Sequence, residues 1–251
     1  MGDLTAILCW LLLATAFGVL TVRRGSLSTS GALAAVVLGL TVVFTAGPRW
    51  LLPLFAFFAS STLIDRLLPA RGISGDVKDR QPRDAVQVFC NGGIYGLVAL
   101  WGWDPKLLLV AAAVATSDTW ASAVGKYFRQ PTLDILRLRE VPPGLSGGVS
   151  VAGTVGGAAG AILIALLGFV VLEGFSWGAG AWVAAFGFCG MVVDSVLGAG
   201  LQARYRHEDG GLSDREVPGA QLVAGRAWMT NDLVNLLAIA GATTVAGCML
   251  L

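Results

Sequence analysis

Two aspartates stand inside otherwise apolar runs: Asp118 in Ser117-Asp118-Thr119-Trp120-Ala121-Ser122, and Asp194 in Val192-Val193-Asp194-Ser195. An ionised carboxylate in hydrocarbon costs at least ~2.5–3.5 kcal/mol unless it is paired, so each calls for a partner. Ser122 follows Asp118 by four residues and Lys126 by four more, which puts the three on one helical face. Beyond a basic loop, Pro142-Pro143-Gly144-Leu145-Ser146-Gly147-Gly148 precedes another apolar run. A Ser-Gly-Gly turn opening a helix offers backbone N–H groups to an anion. Carboxylates beside such a turn are the ingredients of a metal-phosphate site, with Ser146, Gly147 and Gly148 expected to face phosphate. The plain alternative is a helix end followed by a polar turn.

Other polar residues in apolar runs are spaced to join them. Asp84, Gln87 and Asn91 share one helical face. Gln202 and Arg204 follow the run that holds Asp194, and Asn231, Asp232 and Asn235 open the last run. At ~1.5 Å per residue, Asp118, Asp194, Asn91 and Asn235 are expected at similar depths, on the order of 6–15 Å below one membrane surface. Carboxylates gathered at one depth need a cation between them, and oxygen ligands suit Mg²⁺. Lys78, Arg80, Arg83, Lys126, Arg137, Arg139, Arg204 and Arg206 are expected to ring the pocket, although basic loops also arise from membrane topology alone. Gly125-Lys126 is followed by Tyr127, so there is no P-loop. The single histidine, His207, sits in a Gly-rich loop and reads as part of a solvated turn. A base is dispensable if the acceptor is a phosphate monoester, whose second pKa near ~6 leaves it largely a dianion at neutral pH.

The elements that must position these residues are membrane helices. Of the 251 residues 55% are hydrophobic and 13% charged, and the mean hydropathy is +0.74. Soluble domains carry about 25% charged residues, so the chain reads as one polytopic, all-α membrane domain, residues 1–251. A net charge of +1 gives no basic excess for nucleic acid. Eight runs approach the ~20 residues that cross a bilayer: 4–22, 31–47, 50–66, 84–102, 107–125, 149–172, 178–202 and 229–250, the second and fourth being short or Gly-rich. The loops after the first, third, fifth and seventh hold fifteen of the seventeen Lys and Arg residues. By the positive-inside rule these loops are expected in the cytoplasm and both termini outside. The outer loops are too short for a domain, which puts the chemistry on the cytoplasmic side. The first run lacks preceding Lys or Arg and reads as a retained span. Gly153, Gly156, Gly157 and Gly160 form overlapping GxxxG pairs that permit close helix packing. Cys9, Cys90, Cys189 and Cys248 stand singly and read as packing residues.

Several of these blocks resemble one family. Ser117-Asp118-Thr119-Trp120-Ala121-Ser122, Val141-Pro142-Pro143-Gly144, Ser146-Gly147-Gly148-Val149, Asp194 to Ala199, Gln202-Ala203-Arg204-Tyr205 and Asn231 to Leu237 look like the signature blocks of the integral-membrane family that includes phytyl-phosphate kinase. Asp84-Ala85-Val86-Gln87-Val88 and Asn91-Gly92-Gly93 look like a further block. More distantly, the Asp-Thr helix end with a Ser-Gly-Gly turn is similar to dolichol kinase, phytol kinase and phosphatidate cytidylyltransferase.

The resemblance implies phosphoryl transfer from a nucleoside triphosphate, CTP or ATP, to an isoprenoid monophosphate in the membrane. On that reading Asp118 and Asp194, with Asp232, hold Mg²⁺ on the triphosphate. Lys126, Arg204 and the N–H groups of Ser146 to Gly148 bind phosphate oxygens. Asn91, Asn231 and Asn235 orient ligands, and Asp84, Gln87, Ser117, Ser122 and Gln202 complete the substrate contacts. Two alternatives stand beside it: a lipid cytidylyltransferase, and a carrier that uses the buried carboxylates as ion ligands.

Overall fold

The computed structural model describes residues 2–69, 81–208 and 210–251. Lys78 and Arg80, expected on the rim of the pocket, lie outside the described residues. Among those described, eight helices follow in order: α1 (Gly2–Arg23), α2 (Thr29–Thr45), α3 (Leu51–Leu67), α4 (Ala85–Trp101), α5 (Lys106–Phe128), α6 (Val151–Val171), α7 (Trp177–Leu201) and α8 (Asn231–Cys248). Five stretches are long and apolar enough to cross a membrane: α1, α5, α6, α7, and α3 together with the 3-10 turn Pro48–Trp50 that precedes it, 20 residues in all. Helices α2 and α4 are apolar but have 17 residues each. At ~1.5 Å per residue that is about 26 Å, short of a ~30 Å hydrocarbon core.

Helix α5 is the axis of the bundle. From Leu107 to Ala115 it is apolar on every side, and a helix of that kind must be enclosed; all of these residues are buried. Helices α3, α4, α6, α7 and α8 pack around it, α2 lies on α4, and α1 lies on α2. The approach of α6 to α5 depends on glycine. A Cβ on Gly160 would stand 3.0 Å from the Thr116 carbonyl oxygen, and one on Gly156 2.9 Å from Val124 Cβ. At Gly157 it would meet the Ser117 carbonyl oxygen at 3.1 Å and run into Met191 Sδ. Small residues let two backbones come this close, and Ser117 Oγ uses the proximity to donate to the Gly157 carbonyl at 2.8 Å. Gly157→Leu is therefore expected to lose at least the ~1–3 kcal/mol typical of overpacking. Size-exclusion profiles and thermal melts in detergent would show it; a wild-type melt would mean that the crossing has slack.

Helix starts follow their caps. Ser28, Ser150, Ser176 and Thr230 each accept a backbone N–H from the first turn of the helix they precede. Asp84 forms a capping box: its carboxylate accepts from Gln87 N at 3.0 Å, while Gln87 Oε1 accepts from Asp84 N at 3.1 Å. Both side chains thus define where α4 begins.

The all-helical expectation needs an amendment at the end of the bundle that carries the long loops. Strand β1 (Leu133–Asp134) pairs with β2 (Gly148–Val149), and β3 (Arg204–Arg206) lies between β4 (Leu212–Ser213) and β5 (Gln221–Ala224), all antiparallel. Loop backbone that folds back on a bundle must satisfy its N–H and C=O groups, and short ladders do so. One consequence corrects the reading of Ser146 to Gly148. The helix starts later, at Val151, because Gly148 and Val149 belong to β2 and Ser150 is the N-cap. Gly147 is a turn residue at φ 75°, seated so closely on α7 that a Cβ would enter the Ala199 backbone.

Candidate active site

At this loop end, α4, α5, α7 and α8 turn their polar side chains into a cavity of about 1950 Å³. The Asp118 carboxyl on α5 and the Asp194 carboxyl on α7 are within hydrogen-bonding reach of each other. The Asn235 amide on α8 comes next. In the orientation that satisfies it, its nitrogen donates to Asp194 Oδ2 at 3.0 Å and to the Asn231 carbonyl at 3.1 Å. In the opposite orientation the Asn235 nitrogen donates instead to Asn91 Oδ1 on α4 at 3.3 Å, and Asn91 Nδ2 donates to the Gln87 carbonyl at 2.9 Å. Lys126 is close enough to Asp118 for their charges to interact. Polar groups from four helices thereby line up in one row along the cavity wall, with the Asn235 amide able to bond either Asp194 or Asn91. Asp194 and Asn235 are both buried, so the row is held by its own contacts.

The row suits a hard divalent cation. Its donors are carboxylate and amide oxygens, the set that favours Mg²⁺ over softer metals. Two carboxylates in contact away from water repel when both are ionised, and a cation between them relieves this. Among the described residues no three His, Cys, Asp or Glu side chains gather as a ligand group, so Asp232 does not close a three-carboxylate cage. It lines the same cavity from the first turn of α8, where a negative charge complements the helix dipole. Mg²⁺ that keeps waters and phosphate oxygens takes only one or two protein carboxylates. Asp118 and Asp194 fit that more modest role.

The Ser-Gly-Gly turn lines the cavity as well, but the donors of Ser146 and Gly148 are engaged. Ser146 N donates to Asp214 Oδ2 at 2.8 Å, Ser146 Oγ to Gln202 Oε1 at 2.6 Å, and Gly148 N to the Leu145 carbonyl at 3.0 Å. An acidic side chain from the loop after β4 thus stands where the sequence led us to expect a phosphate. Arg204 is also placed differently from expectation. It is buried behind the turn, not on the cavity wall, and donates to Asp134 Oδ2 at 3.2 Å and to the Ser146 carbonyl at 2.8 Å. Asp134 is 1% exposed and also accepts from Leu136 N, Arg137 N and Arg137 Nη1. Burial pushes the Asp134 carboxyl up, but the Arg137 backbone N–H, the two guanidinium groups and the Leu136 N–H outweigh it and hold the carboxyl below its ordinary value.

Of the remaining expected residues, Gln87, Ser122, Lys126, Gln202 and Asn231 line the cavity. Asp84 and Ser117 do not: the first caps α4 and the second is buried against α6. The basic rim is also redistributed. Arg83 and Lys126 face the cavity, whereas Arg137, Arg139, Arg204 and Arg206 do not. In their place stand Arg24, Arg66, Arg129 and Arg215, which the sequence marks only as loop charges. His207 and the residues from Gly211 to Glu216 line the same cavity around the β3–β4 hairpin. That hairpin is fastened by His207 Nε2 and Ser213 Oγ, 2.7 Å apart, so His207 has a structural partner on the rim.

Comparisons with known proteins agree with this architecture. The family described as integral membrane protein DUF92 matches residues 12–243. Protein PGR of Arabidopsis thaliana is 28% identical over 252 residues, covering 86% of this chain and 86% of its own length. An uncharacterized membrane protein of Synechocystis is 29% identical over 212 residues, covering 80% of this chain and 74% of that one. Another, from Methanocaldococcus jannaschii, is 27% identical over 185 residues, covering 69% and 74%. No solved structure matches the chain.

Proposed function

Because the chain belongs to the DUF92 family of integral membrane proteins, we propose that it is a membrane-embedded kinase that converts an isoprenoid monophosphate to its diphosphate. The phosphoryl donor is a nucleoside triphosphate, CTP or ATP. The reading is carried by the Asp118 and Asp194 carboxyls, which meet at the polar end of a cavity whose other end is apolar. Ligand pockets are commonly ~300–1,000 Å³, so about 1950 Å³ leaves room for a nucleotide and a lipid together.

Asp118 and Asp194 would hold Mg²⁺, which supplies neutralising charge on the triphosphate. Asn235 keeps the Asp194 carboxylate from rotating away, and Lys126 adds a cation beside Asp118. The acceptor monophosphate is already a dianion and needs no base. One of its oxygens forms the new bond to the γ-phosphorus, the bond from that phosphorus to the β,γ-bridging oxygen breaks, and the nucleoside diphosphate leaves with the electron pair. Positioning and charge neutralisation are the main requirements of such a transfer. The basic residues at the loop end support placing the site in the cytoplasm, with eight spans and both termini on the far side.

The test is direct. Purified protein with Mg²⁺, CTP or ATP, and a panel of prenyl monophosphates is read by mass spectrometry. Prenyl diphosphate with a nucleoside diphosphate is the expected pair of products. A cytidylyl-lipid with pyrophosphate would identify a cytidylyltransferase instead. No conversion with any acceptor would remove the kinase reading.

A further inference from the structure

The cavity does not end at the carboxylates. It continues into an apolar lobe between α1, α2 and α3, reaching Trp10 on α1, Val43 on α2 and Leu51 on α3. Its near end lies beside Arg24, Arg66 and Arg83. Trp10 is 13 residues from Arg23, the last residue of α1, so the lobe runs roughly 20 Å along the bundle. Its wall on the membrane side is thin. Helix α1 packs on α2, and what joins it to α3 is a set of ring contacts: Phe17 with Phe58 at 5.7 Å and with Phe55 at 6.3 Å between centroids.

We infer that this lobe holds the single apolar chain of the acceptor lipid, that the chain enters sideways from the bilayer past the Phe17, Phe55 and Phe58 rings, and that lobe depth sets which chain lengths are accepted. The inference rests on the proposed function for the acceptor's phosphate end, and on the lobe's shape for the chain. Charge complementarity fixes the direction. Arg24, Arg66 and Arg83 line the cavity there against the single carboxylate of Asp65, which pairs with Arg83 Nη2 at 2.9 Å, while Arg66 Nη2 donates to the neutral Ser26 Oγ at 3.2 Å, so a net positive charge remains where the lobe opens onto the polar site. A lipid phosphate lodged there directs its tail towards Trp10 and Val43. Side-chain tips separate more easily than packed backbones, and this makes the α1–α3 seam the natural entry.

Gly39 is the place to shorten the lobe. It lies on α2 ten residues beyond Thr29, about 15 Å in, and a Cβ built there meets only Leu51 Cδ2, at 3.7 Å. Gly39→Phe puts a ring across the lobe while leaving the helix contacts intact. Because the chain comes from hydrocarbon and not from water, each methylene denied the lobe loses its packing contacts there and falls back into the bilayer, which disfavours the longer chains.

The experiment needs neither nucleotide nor metal. Prenyl monophosphates of geranyl, farnesyl and geranylgeranyl length, each with a photoreactive group at the chain end, are crosslinked to the protein in nanodiscs and mapped by mass spectrometry. Label from the longest probes on Trp10, Val43 or Leu51, and from shorter ones nearer Phe17 and Phe58, is the expected pattern. Gly39→Phe should shift the ratio of long-chain to short-chain labelling towards short, and Ala35→Leu should shift it the same way. Leu33→Phe, on the outward face of α2, should not change it. Label scattered over outward faces, an unshifted ratio in Gly39→Phe and Ala35→Leu, or equal labelling by a two-chain phosphatidate probe would overturn the inference. Correct labelling without turnover would sink the kinase reading and leave the lobe standing; turnover with an unshifted ratio would do the reverse.

Discussion

Asp118→Asn is expected to abolish phosphoryl transfer, with a loss of at least about 10²–10³-fold in turnover, the range seen when one electrostatic group is removed from an active site. The melting temperature should stay the same or rise. Asparagine keeps the volume and hydrogen-bonding reach of the side chain and removes an ionisable group that is costly to bury beside a second carboxyl. A protein that keeps two carboxyls buried side by side is trading stability for a function. Asp194→Asn should behave the same way, and the double variant should lose little more than either single one, because the two act as one cation-holding unit. Turnover by mass spectrometry and thermal melts in detergent, run on the same preparations, read both effects. Near-normal turnover in Asp118→Asn would take that residue out of the mechanism.

The carboxylate pair was legible because burying a charge is costly enough to leave few arrangements. Asp118 and Asp194 each need a partner, and the helical rise puts them at one depth together with Asn91 and Asn235. Eight apolar runs likewise announce eight helices, and the four glycines of α6 announce a close crossing. What lay beyond reach was set by contacts between loops. Strands of two to four residues carry no periodicity, so the sheets around β1 and β3 leave no trace in the pattern. Ser146-Gly147-Gly148 reads as a helix start, yet Ser150 offers the same capping chemistry a few residues later, and Asp214 arrives from 68 positions away. Arg204 reads as one more rim charge. Nothing in the sequence marks Asp134 as the carboxylate that draws it inward. The apolar lobe is hidden for a different reason: Trp10, Phe17 and Val43 have the same composition whether they face lipid or a cavity.

Arg204 separates a structural cation from a phosphate-binding one. Arg204→Met is expected to cost at least about 3 kcal/mol at neutral pH, the lower end of the ~3–5 kcal/mol measured when one partner of a buried ion pair is removed. The lower end applies because Arg137, half exposed, still donates to Asp134 at 3.1 Å. The pH dependence carries a sign. Asp134 has a lower pKa in the folded protein than in the unfolded chain, so its stabilisation is present above the unfolded value of about 4 and is lost as pH falls through the folded value. Wild-type melts should therefore drop in acid, Arg204→Met should start lower and drop less, and the two should converge. Arg204→Lys completes the test. A single ammonium cannot span Asp134 and the Ser146 carbonyl as the guanidinium fork does, so melting temperature and turnover should fall together, turnover tracking the folded fraction. If Arg204→Lys kept the wild-type melting curve and lost only turnover, the cation would be meeting substrate, and the assignment of Arg204 to the scaffold behind the Ser146 turn would fail.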